Sequence, residues 1–282
     1  MNLNYMEALQ NYVSAAKKPM STSALEVALD REEVKLWDDI PKGVNSGGLI
    51  ESPEDDDRLL KLNEVVDFPQ GIDYAPDMEI VDYDKWDELI PKTQFISNHV
   101  TTTLNQGSVG SCASEGISGC LMAVRNLVGE PDTILNPYSL YHYTSGGRDN
   151  GSSLSGNLAR AIEHGVAPMD LWSRSQGWRR KPSSEALEAA KKYRITKVVR
   201  VSNKKEFGTA LLAGYPVYFG YRGHAIFGTK LLDINRIYYK NSWGESWGNK
   251  GTGTLNFNRV YWGYGAYAII EVAQEEAIPA IP

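Results

Sequence analysis

The strongest constraint on the fold is a change of texture two-thirds of the way along the chain. Before it, apolar residues recur at helical spacing. In "CASEGISGCLMAVRNLVG", Ile117, Leu121, Val124 and Val128 fall on one face, and Gly129 supplies a C-terminal stop. "NPYSLYHYTSG" is a shorter helix with Pro137 near its start, and "LSGNLARAIEHG" is a third that ends at Gly165. After it, "ITKVVRVS", "YPVYFGY", "HAIFGTKLLD", "RIYYKNSWG", "GTGTLNFNR" and "YGAYAIIEV" are β-branched or aromatic runs punctuated by Gly, Asn and Asp. Helices first and antiparallel-type strands later make the class α+β, with a helical half and a strand half.

The first 90 residues differ from the rest. They carry 21 acidic and 8 basic residues, a net −13, whereas residues 91–282 carry 14 and 21, a net +7. Two amphipathic helices are predicted there, over 4–17 and 22–39, the second with Ser23 and Glu26 in capping-box spacing. The turn-rich, acidic stretch 41–58 follows as a linker or extended arm. The division is an acidic arm, 1–90, and a mildly basic domain, 91–282. Opposite charges allow the arm to lie on its own domain or on neighbouring subunits of an assembly.

Several functions are disfavoured. No stretch reaches the roughly 18 apolar residues of a membrane span, and the N-terminus lacks the pattern of a secretory signal. No basic-aromatic stripe suggests nucleic-acid binding. Four histidines and two cysteines show no metal-ligand spacing, and no cofactor is expected. Cys112 and Cys120 on one helix would be about 12 Å apart along its axis, beyond disulfide reach. The expected setting is a reducing one, a bacterial cytoplasm or a viral particle.

Cys112 opens the first helix, after "LNQGSVGS". A helix N-terminus stabilises a thiolate, so the position suits a nucleophile as well as a buried filler. Cys120 reads as filler. Of the histidines, His224 follows a glycine, opens a strand and sits beside the small Ala225, so it can face a cleft. Asn241, in "YYKNSWGESWGNKG", can orient an imidazole by hydrogen bonding, and Trp243 beside it can shield that bond from water.

"NQGSVGSC", "GHAIFG" and "YYKNSWGESWGNKGTGTL", in this order, resemble the papain-like cysteine proteases, over about residues 95–270. The resemblance implies two lobes, helical and β-barrel-like, with the active site in the cleft between them. It implies Cys112 as nucleophile, His224 as base and then acid, Asn241 as orienter, and Gln106 as side-chain donor to the oxyanion. It implies a polypeptide substrate. Val109 stands where the family has a disulfide cysteine, and Ala113 where it has a tryptophan. In place of the family's Gly-Gly substrate edge the chain offers "NGSSLSG", which makes Gly151 and Ser152 the candidate rim, with Ala225 and Trp243 beside the histidine and asparagine. The expected activity is a thiol endopeptidase, disulfide-free and of bacterial or phage type, with the arm as pro-segment or assembly tether. The change at Ala113 keeps a second reading open, a papain-like fold used as a structural or binding component, for example of a virion.

Overall fold

A computed structural model describes residue 37, residues 40–45, 47–50 and 80–274. The helices expected over 4–17 and 22–39 lie, Trp37 excepted, outside the described residues, as does the linker beyond residue 50.

The described elements are α1 (Trp86–Leu89), α2 (Cys112–Leu127), α3 (Tyr138–Thr144), α4 (Leu154–Glu163), α5 (Ser184–Ala190), β1 (Ile195–Arg200), α6 (Lys204–Leu212), β2 (Val217–Tyr221), β3 (His224–Asp233), β4 (Arg236–Lys240), β5 (Thr252–Asn256) and β6 (Ala266–Val272). The three anticipated helices are α2, α3 and α4. Three further helices, α1, α5 and α6, were not anticipated. The signals of α5 and α6 are capping residues: Ser183 accepts from the Ala186 N–H, and Asn203 accepts from the N–H groups of Lys205 and Glu206. A cap of this kind contributes about 1 kcal/mol to a short helix.

The six strands form one antiparallel sheet in the order β1-β6-β2-β3-β4-β5. β1 and β5 are its two edges, so the sheet is open and the expected barrel does not close. The α+β class stands.

α2 lies across the sheet and is buried over most of its length. Two glycines permit this. A methyl group on Gly116 would come within 2.9 Å of the Tyr218 ring, and one on Gly119 within 2.6 Å of the Phe227 ring. Without side chains at those points the helix settles directly onto β2 and β3. Ile117, Leu121 and Val124 then join Tyr218, Phe227, Tyr267 and Ile269 in the core between helix and sheet. Val128, expected on the same apolar face, is 44% exposed, because the helix has already ended. Val128 is the cap, and the Gly129 and Glu130 N–H groups bond back to Asn126 and Arg125 carbonyls at 3.2 and 3.0 Å. With Gly129 at φ +81° this is a Schellman stop.

The other face of the sheet carries a second core rich in aromatic rings. Trp86, Phe207, Phe219, Tyr239, Trp243, Trp247 and Phe257 contribute to it, together with Trp37 from the acidic arm.

Candidate active site

The loop before α2 is zipped to the segment after β4. The Gln106 N–H bonds to the Ser242 carbonyl at 2.9 Å, the Gly244 N–H to the Leu104 carbonyl at 3.1 Å, and Asn105 bridges to Trp243. The Ser242 hydroxyl donates to Gln106 Oε1 at 2.6 Å. These bonds bring Gln106 and Cys112, near one end of the domain sequence, beside Asn241 and Trp243, which follow about 130 residues later.

Cys112 is the first residue of α2 and is fully buried. Burial pushes its thiol up to about 12, against backbone hydrogen bonds from Ala225, Ala113 and Cys112 itself, while the Glu115 carboxylate one turn along adds to the rise. The bond from Ala225 puts the sulfur next to the start of β3, where His224 stands. Ala113 is also fully buried, and its carbonyl accepts from the Tyr218 hydroxyl at 2.7 Å. Cys120 is buried on the same helix and, like Cys112, is a free thiol.

His224 is fixed by a two-residue hairpin turn. Arg222 and Gly223 both adopt positive φ, +51° and +72°, as a tight turn between β2 and β3 requires, and His224 pairs with Tyr221 across it. His224 Nε2 lies 2.7 Å from Asn241 Oδ1. Among the described residues, Nδ1 has no hydrogen-bond partner. With Asn241 accepting, the proton sits on Nε2 and Nδ1 carries a free lone pair. Burial pulls the imidazole down to about 4, opposed by the bond to Asn241. The Trp243 ring covers this pair, 4.8 Å from the His224 ring, and Trp37 packs edge-on against both, at 5.8 Å from His224 and 5.0 Å from Trp243. Asn241 Oδ1 also accepts from the Ser242 N–H at 2.7 Å.

Ala225 and Trp243, expected beside the substrate, are buried, at 1% exposure each. Ala225 meets the cysteine through its backbone and Trp243 meets the histidine through its ring.

Gly151 and Ser152 lie at the rim, and a strand of the acidic arm occupies it. Leu49 bridges to Ser152 in parallel register. The Ser152 N–H bonds to the Gly48 carbonyl at 2.8 Å, and the Ile50 N–H to the Ser152 carbonyl at 3.2 Å. On the opposite side the Leu49 N–H bonds to the Gly223 carbonyl at 3.1 Å, immediately before His224. Further back, Gln106 Nε2 donates to the Asn45 carbonyl at 3.2 Å and to the Val109 carbonyl at 3.0 Å. Asn45 and residues 47–50 thus lie between the cysteine loop and rim on one side and the histidine turn on the other. Gly48 is required there, since a methyl at this position would come within 2.5 Å of the Gly110 carbonyl. The Leu49 side chain is buried against Gly220 and Tyr264.

Four site-proximal residues were not singled out from sequence. Glu115 is fully buried one turn after Cys112, where it accepts from the Ser111 hydroxyl at 3.0 Å and pairs with Arg174, whose other nitrogen donates to the Asn105 carbonyl at 2.9 Å. A charge on an otherwise apolar helix face was the available signal. Tyr141 and Asp149 meet beneath the rim. Their partners are distant in sequence, and no local pattern marked them.

No family model and no curated protein matches the chain by sequence. Solved structures do. Xylellain, a cysteine protease from Xylella fastidiosa, matches with a TM-score of 0.54 at 18% identity, over 71% of this chain and 95% of that one. The proform of the ragweed pollen cysteine protease Amb a 11 matches with 0.56 at 16% identity, over 94% and 93%. Procathepsin L 3 from the Tenebrio molitor larval midgut matches with 0.53 at 13% identity, over 95% and 100%. What this chain shares with all three is the fold of the papain-like cysteine proteases.

Proposed function

We propose that the chain is a thiol endopeptidase held in a precursor state by its own arm. The observation that carries this reading is the state of His224: Nε2 is held by Asn241, Nδ1 has no hydrogen-bond partner among the described residues, and the next residue, Ala225, bonds through its backbone to the sulfur of a helix-opening cysteine. This placement supports Cys112 as nucleophile, His224 as base and Asn241 as orienter.

In the reaction, His224 Nδ1 takes the Cys112 proton. The sulfur attacks a peptide carbonyl carbon, and the carbonyl electron pair moves onto oxygen. Gln106 Nε2 and the Cys112 N–H donate to that oxyanion. Collapse breaks the C–N bond, and the amine leaves with the proton from Nδ1. A water then gives a proton to Nδ1 and attacks the thioester, the thiolate departs, and the acid product leaves. Asn241 keeps the imidazole in the tautomer that each transfer needs.

The arm supports the peptide part of the reading. The groove already holds polypeptide, Asn45 and residues 47–50, through main-chain groups of Ser152 and Gly223 and the side chain of Gln106. Such bonds recognise an extended backbone irrespective of its sequence. The apolar pocket that holds Leu49 would favour an aliphatic substrate residue. With the Asn45 carbonyl on Gln106, the oxyanion donor is taken, and Cys112 and His224 are both sealed from water. Two of the similar structures are pro-forms by name.

The test is labelling by an epoxysuccinyl thiol-protease inhibitor, followed by mass spectrometry. An adduct on Cys112 once the arm is displaced is expected. A folded, arm-displaced protein that takes no label at Cys112 overturns the reading and leaves the fold as a binding component.

A further inference from the structure

Beneath the rim lies a polar junction that the peptidase reaction does not itself use. Asp149 Oδ1 accepts two hydrogen bonds, from the Gly110 N–H at 2.9 Å and from the Tyr141 hydroxyl at 2.7 Å. The Tyr141 oxygen in turn accepts from the Gly151 N–H at 3.1 Å. Tyr141 comes from α3, is fully buried, and is wedged edge-on against Trp178 at 5.2 Å. Gly110 is two residues before Cys112, and Gly151 is next to Ser152.

The junction therefore joins two segments with different tasks. One sets where α2 begins, and with it the Cys112 sulfur and N–H. The other is the edge on which an extended peptide pairs. No covalent link ties them, because both cysteines of the chain lie on α2 and are free. The junction is also close-packed. A methyl group on Gly110 would lie 3.1 Å from the Tyr141 oxygen, 3.2 Å from Asp149 Oδ1 and 3.3 Å from the Gly151 nitrogen. A methyl on Gly151 would run into the Gly48 carbonyl of the arm, and Gly151 holds φ +91°.

We infer that Asp149 and Tyr141 are positioning residues that lock the nucleophile's loop to the peptide-binding rim. The directions of the bonds fit this role. A carboxylate accepts only, so the phenol must donate to it, which leaves the phenol oxygen free to accept from Gly151. Asp149 thus orders both segments, and Tyr141 carries the order on to the rim alone. Removing the hydroxyl releases the rim and spares the cysteine loop. Truncating Asp149 releases both. This inference rests on the proposed peptidase reading, but part of its test does not.

The test uses the full-length chain. Hydrogen exchange, read by mass spectrometry over peptides containing Gly151–Ser152 and Gly110–Cys112, needs no activity. Tyr141→Phe is expected to speed exchange at least tenfold in the first peptide and leave the second within about threefold. Asp149→Ala is expected to speed both, and Asp149→Asn, whose amide oxygen still accepts, to restore most of the protection. In a full-length Leu49→Asp background, which unseats the arm, Tyr141→Phe should raise KM for a peptide substrate several-fold. Its kcat and its Cys112 alkylation rate with iodoacetamide should stay near the background. Asp149→Ala should lower both kcat and alkylation. Equal, global loss of protection in Tyr141→Phe, or no change in either peptide, overturns the inference. Should Asp149→Ala fail to fold, the Tyr141→Phe pattern decides alone. Local exchange changes as expected, with no peptide hydrolysis by the unsubstituted junction, would uphold the lock and overturn the peptidase reading instead.

Discussion

His224 Nε2 and Asn241 Oδ1 stand 2.7 Å apart, in a site from which water is excluded and over which Trp243 lies. Among the described residues the asparagine is the imidazole's one hydrogen-bond partner, and it sets which nitrogen carries the proton. On the proposed peptidase reading, Asn241→Ala is expected to lower kcat/KM of the arm-displaced protein by roughly one to two orders of magnitude, chiefly in kcat, because a misaligned base costs on that scale. It also strands two buried N–H groups, those of His224 Nε2 and the Ser242 main chain, at about 1–3 kcal/mol of stability each. Steady-state kinetics and urea unfolding measure the two effects separately.

Leu49 is the apolar anchor of the arm in the cleft. Burying a leucine side chain stabilises by about 1.5–3 kcal/mol, so Leu49→Asp should shift the arm toward release by roughly ten- to a hundredfold at 1.4 kcal/mol per decade. The rate of Cys112 labelling by the epoxysuccinyl reagent should rise in proportion. An unchanged rate would mean that residues outside the Leu49 pocket hold the arm.

The closed state should have a pH window. His224 is held at about 4, below its ordinary 6.5, so its neutral form favours closure above pH 6.5, and that stability is lost as pH falls from 6.5 toward 4. At 1.36 kcal/mol per unit, about 3 kcal/mol is the ceiling on this loss, reached only where the arm accounts for all of the burial. Cys112 is held up at about 12 against an ordinary 9.0, so its contribution is intact below pH 9 and is lost as pH rises toward 12. Closure is therefore firmest between about pH 6.5 and 9. Acidification to pH 5 should speed labelling once the reagent's own pH dependence is subtracted, and a His224→Gln protein should show no acid-driven release of Trp37, followed by tryptophan fluorescence.

The Glu115–Arg174 pair predicts an asymmetric double-mutant cycle. Glu115 is fully buried and Arg174 is its charge partner, 22% exposed. Arg174→Met leaves a buried carboxylate uncompensated and should cost about 3–5 kcal/mol, whereas Glu115→Met with Arg174→Met together should cost much less. Thermal unfolding of the four proteins measures the coupling.

The parts of this molecule that could be read from sequence are those whose meaning is local. A cysteine at a helix start, a histidine after a glycine at a strand start and an asparagine in a Gly/Trp-rich turn are each local signals, ambiguous singly and pointed to a site by their order along the chain. The six strands were signalled by β-branched and aromatic runs. The open sheet was not, because whether β1 meets β5 depends on accumulated twist rather than on either strand's composition. The arm was legible as acidic and turn-rich, and its own cleft and neighbouring subunits were the two docking places the sequence left open, without the residues that dock. The docking depends on Gly48 and Leu49 fitting surfaces supplied by Gly110, Gly220 and Ser152. Asp149 and Tyr141 were silent for the same reason, since two of the segments they join are 39 residues apart.

Gly116 and Gly119 have a consequence beyond packing. Cys112 is rigidly continuous with them on one helix, and His224 is rigidly continuous with the strand that carries Phe227. The gap between sulfur and imidazole is therefore metered several residues away, by the thickness of two absent methyl groups. Helix and sheet behave as the jaws of a caliper. A single alanine at Gly119 would reset the jaws, and would disarm the proposed chemistry without touching an atom that takes part in it.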